Sequence, residues 1–159
     1  MKMPPVSAHH AVSLMPPPRL GAPPYLAAAF PFLRTMILVV DPNGPVREVI
    51  SMALRGSGYR VVGCEDADAA RALLTAYPFA ACIMDASLRG DMSGLELLHW
   101  LRTRDTTMPV VLTSGMSGHD LGAPLPQDPA LRFLPKPFGT RRLIELLTHL
   151  IPRLAAAAE

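Results

Sequence analysis

A doubly wound, five-stranded parallel α/β sheet is the fold this chain predicts, and three observations carry the prediction. First, three apolar runs of β type each finish on one polar residue: Ile37-Leu38-Val39-Val40 on Asp41, Ala81-Cys82-Ile83-Met84 on Asp85, and Val110-Val111-Leu112-Thr113 on Ser114. A fourth run, Leu131-Arg132-Phe133-Leu134-Pro135, leads into Lys136-Pro137. Second, strand-like and helix-like stretches alternate from Met36 onward, the pattern of βα units with right-handed crossovers. Third, half of the 159 residues are hydrophobic and only 18% are charged, which suits strands buried on both faces.

Residues 1–35 stand apart from this pattern. Prolines at 4, 5, 16, 17, 18, 23, 24 and 31, mixed with Ala and Ser, remove donors and fix φ, which excludes a long helix or a central strand. A Pro/Ala-rich, flexible or polyproline-like extension is expected there. A domain over 36–152 follows, with a tail over 153–159. His9-His10 has no partner residues in such an arm and is not read as a metal site. Met36 opens the first strand directly, so translation from Met1 and from Met36 both stay open.

The first strand covers 36–41. A helix from Pro45 to Arg55 follows, with Pro in its first turn, Val46, Ile50, Ala53 and Leu54 on one face, and Gly56 and Gly58 as the stop. Strand 60–64 precedes a helix from Asp66 to Tyr77. Strand 79–84 leads into the loop Asp85–Met92, and then into a helix whose start, Ser93-Gly94-Leu95-Glu96, fits the S-x-x-E capping box. Strand 109–113 is followed by Gly115, Gly118, Gly122, Pro124, Pro126 and Pro129, a composition that opposes a helix longer than a turn or two. An irregular loop with a degenerate fourth helix is expected there. The last helix, Thr140 to Ile151, has Leu143, Leu147 and Leu150 at helical spacing, with Leu154 beyond.

The formal charge of +2 is mild and the basic residues are scattered, which argues against nucleic acid. No apolar stretch approaches the roughly 18–20 residues of a membrane span. Tyr25–Leu33 is short and broken by Pro31. A cytoplasmic protein without a secretory signal is expected. Cys64 and Cys82, the only cysteines, lie in apolar β-type runs and read as small buried hydrophobes rather than a redox pair or half a metal site. Trp100 and the scattered methionines likewise read as packing residues.

In an open α/β sheet the carboxyl ends of the strands form the edge where ligands bind. Two carboxylates, a hydroxyl and an ammonium should meet there: Asp41, Asp85, Ser114 and Lys136. Their order and spacing, together with Lys136-Pro137-Phe138, resemble the receiver domain of two-component response regulators, a flavodoxin-like (CheY-like) fold, from about Met36 to Pro152. The resemblance implies that Asp85 is the phosphoacceptor. Lys136 would pair with the phosphoryl oxygens and Ser114 would hydrogen-bond one of them, with Gly115 leaving room for the group to enter. It also implies a cis bond after Lys136 and a switch pair, Ser114 and Phe133.

A departure accompanies the match. Where the family usually carries a second acid directly after the first, this chain has Pro42. The metal set implied by the resemblance is then Asp41, Asp85 and a backbone carbonyl from Ser87, holding Mg2+ weakly. Asp91 is a minor candidate substitute, and Arg89 reads as a solvated loop residue more readily than as a steering group for a phosphodonor.

Three functions compete. One is a single-domain response regulator, phosphorylated by a histidine kinase or histidine phosphotransfer protein in a phosphorelay and acting through an unknown downstream protein rather than DNA. Such a protein is an enzyme only in catalysing its own phosphorylation and dephosphorylation. Another is a pseudo-receiver, a binding module that has lost regulated phosphorylation through Pro42. The third, a flavodoxin-like cofactor binder or small α/β enzyme, needs a hydroxyl- and glycine-rich phosphate loop where Asp41-Pro42-Asn43-Gly44 would repel a phosphate.

Overall fold

A computed structural model describes residues 36–116, 118, 121 and 124–151. The expected arm over 1–35, with His9-His10, and the tail over 153–159 lie outside the described residues, as does Leu154. The elements run β1 (Met36–Val40), α1 (Gly44–Gly56), β2 (Arg60–Cys64), α2 (Ala67–Ala76), β3 (Ala81–Asp85), α3 (Gly94–Arg102), β4 (Val110–Ser114), β5 (Leu131–Pro135) and α4 (Thr140–Leu150). All strands are parallel, in the order β2-β1-β3-β4-β5.

Because successive strand side chains point to opposite faces, each apolar run feeds two cores. Leu38, Val40, Cys82, Met84, Val110 and Leu112 meet Ala70 and Leu74 of α2 and Leu97 and Leu101 of α3. Ile37, Val39, Ile83 and Val111 meet Ile50 and Leu54 of α1 and Leu143 and Leu147 of α4. The sheet is thus wound on both sides, as expected.

Helix starts follow local chemistry. The Asn43 side chain accepts from the Val46 amide (3.1 Å) and Asp66 from Ala69 (2.8 Å). Ser93 and Glu96 close the capping box reciprocally, at 3.3 and 2.7 Å. Helix α1 runs through Gly56 and stops at Ser57, and the turn is completed by Gly58 at φ +90°, a conformation that favours glycine.

Several boundaries shift from the expected ones. Asp66 and Tyr77 cap α2 rather than belonging to it. The third strand begins at Ala81, not 79: the Phe79 ring is buried, but the ladder forms only beyond Ala80, whose amide bonds the Met36 carbonyl (2.8 Å). Its far end includes Asp85. On α1, buried Ser51 was not expected on the apolar face. Its hydroxyl donates to the Arg47 carbonyl (2.7 Å), which satisfies it within the helix.

Between β4 and β5 no helix occurs among the described residues. Leu121 and Leu125 from this segment pack against the core, as does Phe133. Cys82 is fully buried and Cys64 half-buried, both with free thiols. Burial is the main influence that pushes the Cys64 thiol up to about 11 and raises Cys82 too, so neither is a thiolate at neutral pH. Trp100 is half-buried and packs at the core's edge, with the guanidinium carbons of Arg71 and Arg104 at 5.3 and 4.4 Å from its ring centre.

Candidate functional site

The carboxyl ends of β1, β3 and β4 deliver Asp41, Asp85 and Ser114, all buried. Lys136 follows β5, its amide bonded to the Ser114 carbonyl (2.6 Å), and its bond to Pro137 is cis. The ammonium of Lys136 lies 2.8 Å from Asp41 Oδ2 and 2.6 Å from Asp85 Oδ2. The four residues expected at this edge lie there, the two carboxylates and the ammonium in direct contact.

Each strand-end side chain is held by the amide two residues on. Asp41 Oδ1 accepts from Asn43 N (2.8 Å), Asp85 Oδ1 from Ser87 N (2.8 Å) and Ser114 Oγ from Met116 N (3.0 Å). Such short-range bonds lock the carboxylates into single orientations and leave Oδ2 of each for Lys136. Partial burial works against the Lys136 charge, but hydrogen bonds and charges from Asp41 and Asp85 outweigh it and raise its pKa. The lysine therefore stays cationic at neutral pH. Charge pairing of this kind brings two like-charged carboxylates within reach of one cation.

No three acidic, His or Cys side chains converge among the described residues, so Asp91 does not join Asp41 and Asp85. Two carboxylates still fall within what magnesium uses, with waters completing the shell. The residues present fit the ion in kind, and Asp41 and Asp85 would hold it while each also faces the Lys136 ammonium. Asp91 and Arg89 are exposed on the wall of a groove of about 390 Å3 shared with Pro42 and Asp66. The Arg89 backbone pairs with Asp66.

Above Gly115 the space is open: a Cβ there would meet nothing within 4 Å. Phe133 is half-buried, and its ring stands 3.7 Å from where a Cβ on Gly118 would be. The expected switch pair is thus on adjacent strands, with the β4–β5 segment against the ring.

Two contributors escaped the sequence reading. A Cβ on Gly94 would stand 2.0 Å from the Asp85 carbonyl oxygen, and the Gly94 amide bonds the Ala86 carbonyl (3.0 Å). The first turn of α3 therefore rests directly on the backbone of Asp85, and only glycine allows it. The other is Arg47, whose Nη1 donates to the main-chain carbonyl of Asp41. Gly94, beside the capping serine, offered a faint signal; Arg47 offered none.

The family model described as the response regulator receiver domain matches residues 37–148. Response regulator protein FleR of Pseudomonas aeruginosa is 31% identical over 124 residues, covering 77% of this chain and 26% of FleR. Transcriptional regulatory protein FixJ of Bradyrhizobium diazoefficiens is 26% identical over 77% of this chain and 60% of its own length. The chain thus spans about a quarter of FleR and somewhat more than half of FixJ. Among solved structures, the receiver domain of NtrX from Brucella abortus aligns at TM-score 0.63 with 28% identity, covering 72% of this chain and 97% of that one. Chemotaxis protein CheY4 of Vibrio cholerae aligns at TM-score 0.60 with 23% identity, covering 73% and 98%, a likeness of fold.

Proposed function

The chain belongs to the response regulator receiver domain family, and from that premise we propose that Asp85 accepts a phosphoryl group from a histidine kinase or histidine phosphotransfer protein. The observation that carries this reading is the Asp85–Lys136 contact of 2.6 Å beside Ser114. An Asp85 oxygen attacks phosphorus, the bond from phosphorus to the donor nitrogen breaks, and the imidazole leaves with the electron pair. Two anions must approach for this, so positive charge has to be in place beforehand. Lys136 supplies it, shifting from the carboxylates to the incoming phosphoryl oxygens. Ser114 offers its hydroxyl to one of those oxygens while its own oxygen keeps the Met116 amide. Receivers generally bind Mg2+ at the acidic site. Here Asp41, Asp85 and the Ser87 carbonyl would hold it, and when bound it offsets the charge that builds as the anions meet.

The proposed unit is the 36–152 domain acting as a single-domain regulator in the cytoplasm, with output to a protein rather than DNA. No helix among the described residues is long and apolar enough to cross a membrane. A mostly apolar groove of about 540 Å3 between Val46, Val49 and Ile50 of α1 and Pro137 and Phe138 opens beside Lys136, which suits a protein as donor. Catalysis is confined to the domain's own phosphorylation and dephosphorylation.

Pro42 favours a second reading, a pseudo-receiver that binds partners without phosphorylation, because it stands in place of the second acidic metal ligand. Intact mass after incubation with acetyl phosphate, with and without magnesium, separates the two. The first reading expects one phosphoryl group added to the parent and none to Asp85→Asn; a gain in that variant removes Asp85 from the role. An unchanged parent mass in both conditions leaves the pseudo-receiver. Pro42→Asp should tighten magnesium about tenfold by restoring a ligand and a charge, and equal affinity would refute that account of the site.

A further inference from the structure

Arg47 is tied into the fold at four points, the last of them on Asp41. Its amide bonds the Asn43 carbonyl (2.9 Å) in the first turn of α1, and its carbonyl accepts the Ser51 hydroxyl (2.7 Å). Its stem then crosses β2, with Cδ and Cγ at 3.2 and 3.4 Å from where a Cβ would stand on Gly63. The guanidinium Nη1 finally donates to the main-chain oxygen of Asp41. On the other side of that residue, the Asp41 amide is bonded to the Cys64 carbonyl (3.1 Å).

The next residue is Pro42, which has no N–H. At the junction where β1 ends, the Asp41 carbonyl is therefore the available handle on the peptide plane, and Arg47 holds it. The same residue's carboxylate must point at Lys136, 2.8 Å away. Without the guanidinium this carbonyl, on a residue only 1% exposed, loses a partner and the plane turns to seek another. The carboxylate moves with it.

We infer that Arg47 is a positioning residue: by gripping the Asp41 carbonyl it aims the Asp41 carboxylate at Lys136, and position 63 is glycine so that its stem can pass. The kinetic consequence rests on the reading of Asp85 as phosphoryl acceptor; the geometric one does not. A residue that merely anchors α1 would affect melting alone. A positioning residue must also change the state of Lys136.

Two variants attack the grip differently. Arg47→Met keeps the stem over Gly63 and removes the guanidinium, whereas Gly63→Val leaves Arg47 intact and displaces its stem. NMR of the Lys136 ammonium, whose protons exchange slowly only while both carboxylates hold them, should show broadening in each variant of the full chain. Phosphoryl gain at Asp85 from acetyl phosphate should slow about tenfold in each. The double variant should be no slower than either single one, because both break one linkage. Glu48→Gln, an exposed neighbour paired with Arg55, should leave both readouts unchanged. An unaltered Lys136 signal in either variant that retains cooperative melting overturns the inference, as does full additivity in the double variant. A parent chain that gains no phosphoryl group sinks the acceptor reading instead, and the ammonium signal still decides the role of Arg47.

Discussion

After β3 the chain leaves Asp85 with its Oδ1 accepting the amide two residues on, and after β4 it leaves Ser114 with its Oγ accepting in the same way, at 2.8 and 3.0 Å. From equivalent starts the two connections diverge. The first becomes α3, sealed by the Ser93–Glu96 box and seated on the Asp85 backbone through Gly94. The second has no helix among its described residues and is secured at its far end, where Asp128 pairs with Arg102 of α3 (2.6 Å) and bonds the Ala130 amide (2.8 Å). The turn at a strand end therefore does not specify the connection beyond it; residues several positions downstream do. A helix cap and an uninterrupted Leu-rich stretch build one connection, while a long-range ion pair borrowed from that same helix pins the other.

The largest expected effect comes from unseating the first connection. Gly94→Val forces a side chain into the Asp85 carbonyl, and because both partners are backbone the clash has no soft outlet. A loss of about 3 kcal/mol or more in urea unfolding is expected, with phosphoryl acceptance reduced in what remains folded. A loss under 1 kcal/mol would mean α3 can slide without consequence for Asp85.

Arg102→Ala addresses the second connection. It strands the Asp128 carboxylate, whose side chain is only 11% exposed. About 2 kcal/mol should go, less than for a fully buried pair because some solvent reaches both groups. The diagnostic outcome is local: amides of Leu131 and Arg132 at the start of β5 should lose protection from exchange more than those of β3. Uniform loss across the sheet would show that the pair is not specific to this connection.

Most of this contrast could be read from residues near each other in sequence. Asp41, Asp85, Ser114 and Lys136 were legible because each ends an apolar run, and parallel topology brings such ends to one edge whatever the details of packing. The capping box was legible because its bonds span three residues. The Arg102–Asp128 pair was not: its partners stand 26 residues apart, and either alone reads as a solvated charge. The Gly94 seat and the Arg47 grip depend on which backbone atoms lie opposite, which is fixed only once helix and sheet have docked. Glycine and proline density opposed a long helix after β4, and none occurs among the described residues there, but it did not say what secures the segment instead.

A smaller effect sharpens the first half of the comparison. Ser93→Ala removes one half of the cap and should cost about 1 kcal/mol. Its reciprocal half depends on pH. The backbone and hydroxyl of Ser93 hold the Glu96 carboxyl below its ordinary value of 4.5, so its contribution is present above that value and is lost as pH falls through the lowered one. Acid titration of Glu96→Gln should therefore converge with the parent at the acid end and diverge towards neutrality. Parallel curves would deny the carboxylate any part in the cap.

The finest distinction is kinetic. In the unphosphorylated protein the amides of Leu125 and Gln127 should exchange early, while Val110–Ser114 stays protected by pairing within the sheet. As a proposal, it is this segment that a downstream protein reads when Ser114 turns to the phosphoryl group. Strong protection at those two amides would rule it out as the element that responds.

The outer rim of β5 has a bearing on how the protein behaves when crowded with copies of itself. A parallel sheet ends in two strands with a side open to further pairing, and an open strand invites aggregation. Here the rim carries exposed Arg132, whose Nη1 donates to the Pro129 and Leu131 carbonyls (3.0 and 2.7 Å), and it ends in Pro135, which has no amide to offer. An incoming strand would have to expel a guanidinium from carbonyls already engaged and would then run into an imino acid. This strand thus carries its own guard along its edge.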